Sequence, residues 1–209
     1  MNIGDILDKT NSVTYGHFVG TSGLHLPAYI NKDLIISHPK YASEIGKLFA
    51  QKFKNKNIDV VVAPAVAGIA LSGWVAYHLG KLDKKEILSL FTEKDQNNNQ
   101  IFKRGYDKIV KNKKVLIIED VTTKGSSVKK IIKAVKVAGG KIVAVGVMVN
   151  RDPELVNSRA LGVPFFALKV LKIPSYKAKR CPMCKKGIRI DTQLGHGSKF
   201  LNKKWKVKK

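Results

Sequence analysis

Cysteine is nearly absent: two residues, Cys181 and Cys184, in a chain of 209. That number cannot staple a small fold, so a disulfide scaffold is excluded. No uninterrupted apolar run approaches the roughly 20 residues that a membrane-crossing helix needs. The N-terminus, MNIGDILDKT, lacks a basic segment followed by an apolar one, so no secretory signal is visible. A reduced, cytoplasmic setting is the expectation. Acids are scarce, 15 against 39 basic residues, which leaves a formal charge of +24. Arginine is scarce as well, with five residues (104, 151, 159, 180 and 189), so the excess is almost all lysine. A solvated lysine surface accounts for most of that excess, and the remainder favours anionic partners such as phosphates, nucleotides or nucleic acid.

The charge is unevenly spread. Residues 169–209 hold 14 basic residues and one acid, Asp191, so more than half the excess lies in the last fifth of the chain. The length suits one large domain, or one domain with a small appendage, and buries a core without help from disulfides or metal.

Apolar spacing supplies the fold class. Residues 40–54 place Tyr41, Ile45, Leu48, Phe49 and Phe53 on one helical face. The run IDVVVAPA (58–65) is too short for a helix and reads as a strand buried on both faces. A helix over 68–81, strands over 87–92 and 114–120, a helix over 126–140 and strands over 141–150 and 164–170 follow. Residues 93–113 are polar and Asn-rich and read mainly as a long loop. Alternation of this kind predicts an α/β fold with a mainly parallel central sheet flanked by helices. Ligands bind such sheets beyond the carboxyl ends of the strands, which directs attention to the loops after residues 63, 92, 120 and 150. The end, residues 202–209, reads as a frayed tail.

The most informative segment runs from Val115 to Ser127, VLIIEDVTTKGSS. A buried strand delivers Glu119 and Asp120, passes through Thr122, Thr123, Lys124 and Gly125, and enters a helix at Ser126 and Ser127. Backbone N–H groups and hydroxyls at a helix start suit a phosphate, and Gly125 lets the backbone approach it. Two carboxylates at a strand end suit the vicinal hydroxyls of a ribose. Either feature alone is more often an N-cap or a solvated acid pair; adjacent and in this order they favour a ligand carrying both groups.

Four apolar residues, two acids and a Thr/Gly/Ser loop make this segment similar to the signature of the type I phosphoribosyltransferases. Lys124 departs from it, standing where a small residue or Thr is usual. The resemblance covers residues 15–170 and implies the substrate phosphoribosyl pyrophosphate (PRPP) with Mg²⁺. Glu119 and Asp120 then hold the ribose hydroxyls, and Thr123 to Ser127 cradle the 5-phosphate. The small-residue segment around Ala65 resembles the family's pyrophosphate loop. It also implies two parts: residues 1–170 as the catalytic domain, with an N-terminal hood over about 1–39, and a basic extension over 171–209.

Within that superfamily the chain is most like the orotate enzymes. Phe18, Ser22, Gly23, Tyr29 and Lys32 match their N-terminal pattern, whereas Gly20 and Thr21 depart from it. Asn150-Arg151 matches the Asp-Arg after the fourth strand. The resemblance places Phe18, Tyr29, Lys32 and Arg151 around the base. A guanidinium fork also suits a planar carboxylate; a surface arginine in a turn before Pro153 is the competing reading. Lys94, Lys103 and Arg104 stand where the family has a mobile cationic loop over the pyrophosphate, with Lys103, Arg104 and Asp120 as the catalytic set. A homodimer is implied by the same resemblance. A purine or other-base phosphoribosyltransferase stays open. So does a PRPP-sensing RNA-binding regulator that uses the basic C-terminal segment and its Tyr176, Phe200 and Trp205.

Cys181-Pro-Met-Cys184 lies outside the resemblance. A Cys-x-x-Cys pair is half of a tetrahedral zinc site. No second such pair exists and His196 is the one nearby histidine, so a reduced dithiol is favoured over a metal site.

Overall fold

The computed structural model describes residues 1–202. Trp205 and the tail over 203–209 therefore lie outside the described residues. A six-stranded sheet in the order β5-β4-β3-β6-β7-β8 forms the centre. Its strands are β3 (Val60–Pro64), β4 (Leu88–Lys94), β5 (Gln100–Ile101), β6 (Lys114–Thr122), β7 (Lys141–Asn150) and β8 (Phe165–Val170). All neighbours run parallel except β5, which turns back antiparallel on β4. The expected α/β fold with a mainly parallel sheet is thus present.

Alternation along β6 splits the core. Leu116 and Ile118 face one layer with Phe49, Val75 and Leu79, while Val115 and Ile117 face the other with Val128, Ile131 and Val135. Each strand residue points opposite to its neighbour, so an apolar run buried on both sides needs a helix layer on each. One layer contains α3 (Pro39–Phe53) and α4 (Ala67–Asp83); the other contains α5 (Tyr106–Val110) and α6 (Ser126–Val137). The expected face of α3 is the one used: Ile45, Phe49 and Phe53 are buried, and Tyr41 and Leu48 pack partly against them. Helix α6 is capped by Ala138, and Gly139 then takes φ +76°, a conformation glycine adopts without strain.

The segment over 93–113 holds more order than its composition suggests. Strand β4 runs on to Lys94 and pairs with β5 through a turn at 95–99. The Asp95 carboxylate accepts from the backbone N–H groups of Asn97 and Asn99, at 2.8 and 2.7 Å, which fixes that turn. Helix α5 follows.

The chain opens with α1 (Ile3–Lys9), closed by a capping box between Asn2 and Asp5, and a hairpin of β1 (Val13–Val19) with β2 (His25–Ile30). Helix α2 (Lys32–Ile36) joins the hairpin to α3. After β8 come α7's successor elements in the chain's last stretch; α7 itself (Ser158–Leu161) lies between β7 and β8. They are a 3₁₀ turn (Ala178–Arg180), α8 (Pro182–Lys185) and α9 (Gly197–Leu201). That stretch folds back onto the hairpin. Tyr176 and His25 exchange backbone hydrogen bonds, Asp191 N–H donates to His17 O, and His196 N–H donates to Val19 O. Among the described residues, no helix is long and apolar enough to cross a membrane.

Candidate active site

Chain order puts β4 on one side of β3 and β6 on the other. Connections leave in opposite directions there and open a crevice at the carboxyl ends of β3 and β6. The acid pair and the Ala65 loop belong to those two strand ends. Strand β6 extends two residues beyond the expected end at 120, so Glu119 and Asp120 sit within it and are buried. Thr122 is also in the strand, pairs with Asn150 and accepts at its carbonyl from Arg151 N–H at 2.9 Å.

The loop itself is short. Thr123, Lys124 and Gly125 lead straight into α6, and Gly125 adopts φ +69° at the N-cap. A Cβ on Gly125 would stand 3.3 Å from the Val156 side chain. Ser126 and Ser127 occupy the first turn of α6, exposed, with Lys124 exposed beside them. Across the crevice, Ala65 N–H donates to Thr92 O at 2.8 Å. Helix α4 starts so close to β3 that a Cβ on Gly68 would meet the Ala63 Cβ at 2.8 Å.

Electrostatics mark the acid pair. Burial, and then the neighbouring Asp120 charge, push the Glu119 carboxyl up to about 8. Burial raises Asp120 as well, against the pull of the Lys32 ammonium, whose Nζ lies 3.9 Å from Asp120 Oδ2. Burial works against the Lys32 charge, but Asp120 and Asp33 outweigh it and hold Lys32 above its usual value.

The expected base-side residues converge. Phe18 is buried, and its ring centroid stands 5.6 Å from that of Tyr29. Arg151 follows β7 directly. Its Nε and Nη2 are buried and have no hydrogen-bond partner among the described residues. Burial pulls its pKa down, with Tyr29 acting in the opposite sense. Buried guanidinium nitrogens without partners are costly, and a planar anion on them removes the cost. Asn150, by contrast, is structural: its Nδ2 donates to Val156 O at 2.9 Å and its Oδ1 accepts from Asp152 N–H at 3.1 Å.

The cationic loop residues are not gathered on the acid pair. Arg104 bonds Glu93 of β4, and Lys103 Nζ lies 3.7 Å from the same carboxylate. Arg104 also lies over the Phe91 ring, 5.2 Å from its centroid. Lys94 is exposed at the end of β4, opposite Gln100. Sequence reasoning missed Thr92, whose buried Oγ1 has no partner among the described residues and whose backbone adjoins Ala65. A threonine closing an apolar strand at the crevice was its one signal. Of the aromatic residues proposed to stack on RNA, Phe200 meets the His25 ring edge-on at 4.8 Å, and Tyr176 bonds His25 through its backbone.

A parallel sheet with buried acids and a hydroxylated loop at its switch point defines the phosphoribosyltransferase class, and the phosphoribosyl transferase domain model matches residues 33–169. Among curated relatives, orotate phosphoribosyltransferase of Thermus thermophilus is 35% identical over 191 residues, covering 91% of this chain and 99% of that protein. The same enzyme of Caldanaerobacter subterraneus is 36% identical over 88% of this chain and 91% of its own length. The chain belongs to the orotate phosphoribosyltransferase family. Solved structures agree on the fold. A Mycobacterium tuberculosis orotate phosphoribosyltransferase, 20% identical, superposes with a TM-score of 0.66 over 81% of this chain and 96% of its own. An adenine phosphoribosyltransferase from Thermoanaerobacter pseudethanolicus, 16% identical, reaches 0.56 over 69% of this chain and 88% of its own. The fold alone therefore does not select the base.

Proposed function

We propose that the protein transfers ribose 5-phosphate from PRPP to the ring nitrogen of orotate, giving orotidine 5′-monophosphate and pyrophosphate. The observation that carries the choice of base is Arg151, a half-buried guanidinium with two buried nitrogens that have no partner among the described residues and an electrostatic interaction with Tyr29. Orotate brings a planar carboxylate to such a fork; a purine brings no carboxylate.

Glu119 and Asp120 accept from the ribose hydroxyls, and the ionised form, which burial disfavours at Glu119, is the stronger acceptor. The N–H groups of the Thr123–Ser127 turn and the first turn of α6 take the 5-phosphate. The backbone at Ala65 faces the pyrophosphate. Lys94, Lys103 and Arg104 meet the charge that grows on the leaving pyrophosphate once Lys103 and Arg104 exchange Glu93 for it. Lys32 favours the ionised form of Asp120 against the burial that raises its pKa.

The donor set fits Mg²⁺ held mainly by PRPP itself, with hard carboxylate oxygens at Glu119 and Asp120 beneath the ribose. When bound, the cation would neutralise pyrophosphate charge as the C1–O bond breaks. Loop closure over the site excludes water, which otherwise hydrolyses the activated sugar. A cytoplasmic homodimer, in which the 93–108 segment of one protomer reaches its partner, completes this reading.

The test is loss of orotate ultraviolet absorbance with PRPP and Mg²⁺, with EDTA as control and a panel of purine bases beside it. Metal-dependent orotate turnover is expected. PRPP binding with turnover of a purine alone would overturn the choice of base.

A further inference from the structure

The Cys-x-x-Cys segment does not stand alone. The hairpin supplies His17 from β1 and His25 from β2, and the C-terminal stretch supplies Cys181 and Cys184. One ligating atom from each of the four lies within 4.8 Å of all the others. His196, the histidine nearest in sequence, is not one of them. We infer that His17, His25, Cys181 and Cys184 form a structural zinc site that fastens the N-terminal hairpin to the C-terminal stretch.

Distances support this geometry. Zinc bonds of about 2.3 Å to sulfur and about 2.0 Å to nitrogen put tetrahedral S···N edges near 3.5 Å. The three S···N separations found are 3.4 Å (Cys184 to His25 Nδ1), 3.6 Å (Cys181 to His17 Nε2) and 3.7 Å (Cys184 to His17 Nε2). The two imidazole nitrogens are closer, at 2.7 Å, and share a hydrogen bond that a cation replaces by spreading them about 0.6 Å.

Orientation is built in as well. His17 Nδ1 lies 2.7 Å from Ile188 O, so it donates there and leaves the Nε2 lone pair aimed at the sulfurs. The His25 ring is held by the Phe200 edge at 4.8 Å and by His17 at 4.8 Å. Cys184 N–H donates to the Cys181 sulfur at 3.5 Å, a bond that favours a thiolate. His17, His25 and Cys181 are buried. Two thiolates and two neutral imidazoles cancel the charge of Zn²⁺, so the closed site buries no net charge. Four protein ligands leave no open position, which makes the site structural, and soft sulfur with imidazole selects zinc over magnesium. It lies next to Phe18 and so bears on how the hairpin is placed over the crevice.

The experiment uses the full chain. Protein purified from zinc-supplemented growth is assayed for metal by elemental analysis, and about one zinc per chain is expected from a four-ligand site. Wild-type protein stripped by a chelator under reducing conditions is then titrated with Co²⁺. Intense visible bands and a thiolate-to-cobalt charge-transfer band are expected, saturating at one equivalent, and excess Mg²⁺ should leave them unchanged. H17Q and C184S should each take bound zinc to near zero, while H196A should retain it. The stripped wild-type titration does not depend on any variant folding. Absence of zinc together with absence of thiolate–cobalt bands in the reduced wild type would overturn the proposal. So would H17Q retaining full zinc, or a Cys181–Cys184 disulfide found by mass and thiol titration in freshly purified protein.

Discussion

The carboxyl edge of the sheet and the junction between hairpin and C-terminal stretch solve the problem of bringing reactive groups together in opposite ways. At the sheet edge, thirteen consecutive residues, Val115 to Ser127, carry strand, acids, loop and helix start. Position along the chain there is position in space, because one strand followed by one helix fixes both. At the junction, His17 and the cysteine sulfurs are 164 and 167 residues apart in sequence. No local rule joins them; only completion of the whole fold does. Short-range chemistry is therefore readable from sequence in this protein, and long-range chemistry is not.

The strongest way to break that contrast is at the acid pair. D120N should lower turnover by roughly two to three orders of magnitude, as removal of a preorganised transition-state contact does. Its circular dichroism should match the wild type, and full activity would remove Asp120 from the site. Arg151 comes next. R151K loses the planar fork, so the KM for orotate should rise roughly tenfold or more while PRPP affinity holds, measured by initial rates and by equilibrium binding.

Packing at the crevice gives a third test. G68A drives a Cβ to 2.8 Å from the Ala63 Cβ and should cost about 1–3 kcal/mol in denaturant unfolding. A fourth uses pH. Because the folded-state pKa of Glu119 is raised to about 8, the folded protein binds a proton there more tightly than the unfolded chain does. That contribution to stability is complete below the unfolded carboxylate range and is lost as pH rises through about 8. The thermal midpoint of the wild type should thus fall, relative to E119Q, between pH 5 and pH 8.5, a window set on the order of that shift. Parallel curves would contradict the buried, proton-retaining acid. The smallest effect is expected at Glu93, which is exposed enough for solvent to screen its pairs: E93Q should leave the unfolding midpoint in the same assay nearly unchanged.

Legibility followed the same division. Strands β3, β6 and β7 stood out because both faces are buried, and unbroken runs such as VVVAP and VLII announce that. The end of β6 did not, since Val121 and Thr122 continue the extended backbone past the acids at which the polar pattern closes it. Strand β1 shows no clean alternation because its register shifts between Tyr15 and Phe18, which breaks the period of two. The Asn-rich run concealed a hairpin whose turn depends on one side chain, Asp95. Among site residues, Glu119, Asp120, Gly125 and Arg151 carried recognisable chemistry, whereas Thr92 and the His17–His25 pair acquired theirs only from distant neighbours.

The fold-back of the C-terminal stretch also sets an order of events during synthesis. The hairpin that carries Phe18 is made well before its partners Ile188, Asp191 and His196. His17 must wait 171 residues for the carbonyl that orients it, roughly 10 to 30 s at ordinary translation rates. The sheet and its acid pair can assemble in that interval. The hairpin is fastened only once that stretch has been made, so the crevice with its acid pair can form before the hairpin is fixed.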